Sequence, residues 1–387
     1  MTKFKSITLN HETQQLTVGA GVTFDQVYRF LSKTKFTLQS SVAAEAVTVV
    51  GAFCTGARTT GLNSSPLSEY VAEIKFIDGN GQDLTAIRSE GDDTWRVLKL
   101  SMGLCGIIYE LTLDLVLAYN VYEIDTVVPK SVVLDKKYFN KIITGNDVVE
   151  ILFFPYNSYT VQRTLNKVDL PITYTKIRRQ IKNLTDRIKV LMAYVLNIFV
   201  AKLPILALYA QRYGSMLKLF ENYNDVISST DSFTWQNFNY SFAQLKTLNY
   251  EHALLFDDTD QVVDCLETLF DFFKSAPLPS AVPIVHIRFN RGSDAILSPT
   301  CNRNYVCNID ILNWRDAPKG QEFLHEIAKL LDKYPGAPLW SKDFPLDTDF
   351  KKIYGTGSNL KTFQTIRKEF DPNNIFVNDF FEKIALV

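Results

Sequence analysis

In the stretch AVPIVHIRFN, two side chains that could do chemistry stand two residues apart: His286 and Arg288. In an extended strand alternate side chains share a face, so these two project together, with Val285, Ile287 and Phe289 opposite. Burying a histidine and an arginine unpaired among apolar residues is costly. Two arrangements avoid that cost, a structural His–Arg pair at a sheet edge or a substrate pocket. In a pocket, Arg288 offers a fixed positive charge to substrate oxygens or to an electron-rich partner. An imidazole ordinarily titrates near neutrality, so His286 could take a hydroxyl proton as hydride leaves the adjacent carbon.

Two other segments could hold a ligand through the main chain. Residues 44 to 62, AEAVTVVGAFCTGARTTGL, are mostly small and carry Gly51, Gly56 and Gly61. Residues 101 to 108, SMGLCGII, carry Gly103 and Gly106. Such stretches let backbone approach a flat or charged ligand closely, and composition alone equally allows a tightly packed loop.

Other chemistries find little support. Five cysteines, Cys54, Cys105, Cys265, Cys301 and Cys307, form no CxxC pair, so neither a zinc site nor a disulfide framework is expected. No GxSxG, HExxH, Walker loop or GxGxxG occurs. With 41 basic and 42 acidic residues, nothing calls for a nucleic-acid partner.

At 387 residues, 46% of them hydrophobic, the chain suits two lobes rather than one core. Residues 5 to 19 alternate as a hairpin. Thr23 and Gln26 then have capping-box spacing ahead of Phe24, Val27, Tyr28 and Leu31 at helical spacing. A second hairpin, 71 to 88, turns at Gly79-Asn80-Gly81. A short helix is expected over 92 to 100, strand-like stretches over 119 to 165, and a helix over 258 to 275. Strands are expected at 281 to 290 and 304 to 313, and helices at 319 to 333 and 363 to 370.

In this order the pieces resemble the vanillyl-alcohol-oxidase type of flavoprotein, most closely its aldonolactone oxidases. The family's AGVT turn is similar to Ala20-Gly21-Val22-Thr23, and its GAxxTGTHGTG loop to Gly51 through Gly61. Its xDGxG hairpin and SLGALGVI segment match Asp78 to Gly81 and Ser101 to Ile108. Farther on, VExRFxRGDDxxLSP is similar to Val285 through Pro299, GGRPHWxK to Gly336 through Lys342, and DPxxxFxN to Asp371 through Asn378.

The resemblance implies an α+β fold of two lobes. Residues 1–118, rejoined by 345–387, would form a FAD-binding lobe, and residues 119–344 a substrate lobe with a helix-covered sheet. FAD would be held by Ala20, Gly21, Gly51, Thr55, Gly56, Arg58, Gly61, Gly103, Gly106 and Ile107. His286, Arg288 and Lys342 would share one cavity and oxidise a sugar lactone or related polyol, with oxygen or another acceptor taking the electrons. Three departures from the pattern stand out. The family's opening GxGHS loop has no counterpart, so an incomplete FAD-binding lobe is expected. The GTHG core reads Gly56-Ala57-Arg58-Thr59. His286 replaces a glutamate, which removes a negative charge that would balance Arg288; on this reading His286→Glu should preserve or raise activity. A homologue that keeps the fold without turnover is the alternative reading.

Residues 190 to 210, VLMAYVLNIFVAKLPILALYA, are long and apolar enough to span a bilayer, for which about 20 residues suffice. Pro204 should break the run into two helices. Lys176, Arg178, Arg179, Lys182, Arg187 and Lys189 precede it. Docking on an anionic membrane surface inside the cell is therefore expected, the alternative being a buried helix pair.

Overall fold

The computed structural model describes residues 3–40, 42, 45–173, 223–230, 247–275, 284–301, 303–315, 319–354 and 358–384. The apolar run at 190 to 210 and its basic flank lie outside the described residues. Among the described residues, no helix is long and apolar enough to cross a membrane.

Alternating residues open the chain as a hairpin, β1 (Ile7–Asn10) with β2 (Gln15–Gly19). Thr23 caps α1 (Phe24–Leu31). Its side chain accepts from the Gln26 amide while the Gln26 side chain accepts from the Thr23 amide, as the Thr-x-x-Gln spacing predicts. Next come β3 (Phe36–Leu38) and α2 (Val49–Cys54), followed by β4 (Val71–Ile77), β5 (Asp83–Ile87), α3 (Asp93–Leu98) and β6 (Ile107–Leu117). The strands form one antiparallel sheet in the order β1-β2-β6-β4-β5, with β3 also on β6.

A second, eight-stranded sheet is built from β7 (Asn120–Pro129), β8 (Val148–Phe153), β9 (Tyr159–Val168), β10 (Tyr223–Ser228), β11 (Thr247–Leu255), β12 (Ile284–Arg291), β13 (Tyr305–Trp314) and β14 (Gly336–Pro338). Their order is β10-β7-β9-β8-β12-β13-β11-β14. Between them lie α4 (Lys130–Val133), α5 (Lys136–Thr144), α6 (Thr259–Ser275) and α7 (Gly320–Leu331). The span 119 to 165, where strand-like stretches were expected, also includes two short helices, one of them opened by Asp135, whose side chain accepts from the Tyr138 amide.

The second sheet has two unlike faces. Ile151, Val285, Ile287, Ile309 and Ile311 pack with Leu266, Leu269, Phe273, Ile327 and Leu331 of α6 and α7. The opposite parity carries charge. Asn308, Arg288, Glu150, Arg163 and Asp125 lie directly across from one another on five successive strands. A buried row of alternating sign satisfies groups that would be costly to bury singly.

After β14 the chain returns to the first sheet through α8 (Phe350–Tyr354), α9 (Asn359–Phe370) and α10 (Asp379–Lys383). Phe363, Ile366, Phe381 and Ile384 share a core with Leu16, Val18, Phe24 and Leu111, joined by Ala295 to Leu297 and Trp340. Buried Asp371 accepts from the Ile375 and Phe376 amides at 2.7 and 2.9 Å. The Gly79 amide donates to Phe370 O at 2.8 Å, and a Cβ at Gly79 would meet the Asp371 carboxylate, so the hairpin turn needs glycine there.

Candidate active site

Where the two sheets meet there is a cleft of about 910 Å³, within the range of small-molecule and cofactor sites. One wall comes from the small-residue segment. Thr48 accepts from the Gly51 amide and starts α2, so Thr48, Gly51, Ala52 and Thr55 line the cleft from a helix and the turn that ends it. The segment expected as a loop thus opens as a helical turn. The other glycine-marked segment joins it, with the Met102 amide donating to Cys54 O at 3.1 Å.

The facing wall is cationic. Arg58 from the turn after α2, Arg288 from β12 and Lys342 from the turn after β14 all line the cleft. They converge on Glu251 of β11. Arg58 bonds Glu251 Oε1, Arg288 reaches the same oxygen at 2.8 Å, and Lys342 lies 3.4 Å from Oε2. Asp310 of β13 adds a second carboxylate, 3.2 Å from Arg288 and 3.0 Å from Lys342. Burial alone would push Glu251 upward; Arg58, Arg288 and Lys342 outweigh it and hold it well below the usual carboxylate range. Arg58 is drawn down to about 10 by burial, against the attraction of Glu251. Among the described residues, its Nε and that of Arg288 are buried without a hydrogen-bond partner.

His286 takes a different place from the one expected. It shares the polar face with Arg288 but does not line the cleft. It is 2% exposed, and its Nε2 lies 3.7 Å from Glu150. Burial would push Glu150 upward, yet His286, Arg163 and Arg288 hold it at about 2. The expectation that Arg288 lacks a balancing negative charge is corrected: Glu251 and Asp310 supply it from neighbouring strands. Strand parity could have signalled both. Asn249 and Glu251 alternate with Leu248 and Tyr250, and Asn308 and Asp310 with Cys307, Ile309 and Ile311.

Of the residues expected to hold FAD, Gly51, Thr55 and Arg58 line the cleft. Gly56 lines a second pocket, which shares Thr55, Arg58 and Trp340 with the cleft. Other main-chain donors are committed elsewhere. Ala20 donates to Tyr109 O, Gly21 to Phe4 O and Gly61 to Phe289 O, at 2.8, 2.7 and 2.6 Å. Gly106, at φ +150°, lets β6 pass close to β4, where a Cβ would meet Ile77 O. Gly103 lies in a turn at φ +81°, and Ile107 is exposed at the start of β6.

A wall without bulk facing a wall of cations fits a flat, electron-accepting ring with polar edges. A FAD-binding-domain family matches residues 1–86. Fold and site together define a FAD-linked oxidoreductase of the two-lobe, vanillyl-alcohol-oxidase type. The D-arabinono-1,4-lactone oxidase family matches residues 111–384, and the chain belongs to that family.

Among its relatives, L-gulono-1,4-lactone dehydrogenase of Mycobacterium tuberculosis is 22% identical over 97% of this chain and 82% of its own length. L-gulonolactone oxidase of Mus musculus is 23% identical with the same coverage. Among solved structures, cholesterol oxidase of Brevibacterium sterolicum superposes with TM-score 0.75 at 15% identity, over 98% of this chain and 83% of that one. Berberine bridge enzyme gives TM-score 0.64 at 14% identity, over 97% and 78%. At such identities the solved structures bear on the fold alone.

Proposed function

We propose that this chain oxidises a CH–OH group of a sugar lactone or related polyol. The observation that carries the reading is the cleft itself, walled on one side by Gly51, Ala52 and Thr55 and on the other by Arg58, Arg288 and Lys342 gathered on Glu251. FAD, when bound, supplies the two-electron acceptor, and oxygen or another oxidant restores it. Gly51, Ala52 and Thr55 would hold it, with Arg58 at its polar edge. Arg288 and Lys342 have donors to spare for substrate oxygens, and their charge favours a hydroxyl that is losing its proton; that proton would pass to water in the cleft as the hydride goes to the bound acceptor. Glu150 and His286 lie behind Arg288 on the same face and fix its surroundings rather than touching substrate. The names of the lactone-oxidising relatives support the substrate class.

The test is to load the purified chain with FAD and add D-arabinono-1,4-lactone, L-gulono-1,4-lactone or open-chain polyols without oxygen, following flavin absorbance. At least one lactone should bleach it. Arg288→Ala should slow that bleaching by roughly 10²–10³, the usual effect of losing one charge-stabilising donor, and change KM far less. If no sugar lactone or polyol reduces bound FAD, the non-catalytic reading replaces this one.

The same proposal keeps the chain at a membrane surface. It rests on the apolar 190 to 210 stretch and the six basic residues before it. Cosedimentation with anionic vesicles should occur and should weaken as salt rises; failure to cosediment removes this element and leaves the oxidation untouched.

A further inference from the structure

We propose that Glu251 is a positioning residue: it gathers Arg58, Arg288 and Lys342 into one cationic wall and so sets how strongly the site prefers reduced over oxidised FAD. The proposal rests on the cofactor assignment above.

Three elements distant in sequence deliver these cations, and none could place its charge there alone. Arg58 rides on the turn after α2, Arg288 on β12 and Lys342 on the turn after β14. Glu251 is the acceptor common to all three, whereas Asp310 pairs only with Arg288 and Lys342. Glu251 is fully buried at the floor the three cations share. Three like charges on one wall repel one another, and without the carboxylate each gains by turning toward solvent. Arg58 is the most exposed to this loss, because among the described residues its ion pair is with Glu251 alone. The three cations hold Glu251 well below the usual carboxylate range, which disfavours proton uptake and suits a positioning role.

Reduced flavin is richer in electrons than oxidised flavin, so a wall of ordered cations favours the reduced form. Two accounts of Glu251 then predict opposite signs. If it only neutralises charge, Glu251→Gln adds a net positive charge and raises the midpoint potential of bound FAD. If it positions the cations, the same substitution lets them leave and the potential falls. The experiment is a reductive titration of the FAD-loaded protein against a redox dye of known potential.

For E251Q we expect the preference for reduced over oxidised FAD to drop at least tenfold, a downward shift of about 30 mV for a two-electron couple. Arg58→Lys keeps the charge but loses the planar fork that meets Glu251. It should shift the potential the same way, and it carries the test if E251Q fails to fold. A rise or no change in E251Q, or an unchanged potential in R58K, overturns the proposal. Failure of the unsubstituted chain to bind FAD is a separate result: it defeats the cofactor assignment and this inference with it.

Discussion

A glutamate at position 286 is what the family pattern would restore, yet among the described residues the nearby cations Arg288 and Arg163 already have carboxylate partners. The Glu150 carboxylate is 3.7 Å from His286 Nε2, and Asp310 lies directly across the strand pair. Arg288 is already engaged by Glu251 and Asp310. His286→Glu would crowd another carboxylate into a buried patch, where it must either take up a proton or repel its neighbours. In contrast to the expectation from sequence, we predict a loss of about 3 kcal/mol in stability, the scale of an uncompensated buried charge. Urea denaturation at neutral pH measures it, and an unchanged midpoint would show that the patch has a cation to spare. His286 and Arg288 were visible as a pair because strand parity is local. Parity also puts Glu251 and Asp310 on the polar faces of their own strands, but that they, like Glu150, would meet Arg288 and His286 was not legible, because those partners are set by the pairing of strands far apart in the chain.

Single elements follow local rules, and there the sequence is most informative. Thr23 and Gln26 form the capping box their spacing requires, and the apolar periodicity of 258 to 275 becomes α6. The helical turn at 49 to 54 was missed because its glycine and alanine read as a loop, which hid the cap that Thr48 supplies within the same small-residue segment. Strand β11 carries a consequence for pH. His252 points to the apolar face, its Nδ1 3.2 Å from the Tyr250 hydroxyl, and burial lowers it to about 4. Below the ordinary histidine range the unfolded chain takes up a proton that the folded chain refuses. Stability is therefore whole above about pH 6.5 and falls as pH drops toward 4, by about 3 kcal/mol in all. Denaturation midpoints across that range should show this limb, and His252→Gln should flatten it; equal slopes in both proteins would assign the loss elsewhere.

At the scale of the molecule, the two sheets are tied together by polar contacts between the loop after β12 and the first lobe. Buried Lys99 lies 2.5 Å from Glu69 and also bonds Asp294, while Ser293 donates to Glu69 at 2.5 Å. The loop after β12 is thereby fastened to α3 and the turn before β4. Lys99→Met fills the space but releases the loop. Because Glu69 and Asp294 are partly exposed, we expect a loss of only about 1–2 kcal/mol. The readout is the denaturation midpoint together with faster proteolysis within residues 292 to 301. A midpoint lowered with no new cleavage there would mean that the loop is held by other contacts. Two lobes were legible from length and change of texture along the chain. This fastening was not, since it joins residues nearly two hundred positions apart.

The shared core of Leu16, Val18, Phe363 and Phe381 also orders events in time. A ribosome adds roughly 5–20 residues per second, so a core begun by the first strands and α1 to α3 waits tens of seconds for α9 and α10 to complete it. The sheet from β7 to β14 has all its strands and covering helices before α9 has been made. The lobe that starts the chain is thus the last to close, and until then its apolar face is open to chaperones, to other nascent chains or to an early encounter with the cofactor.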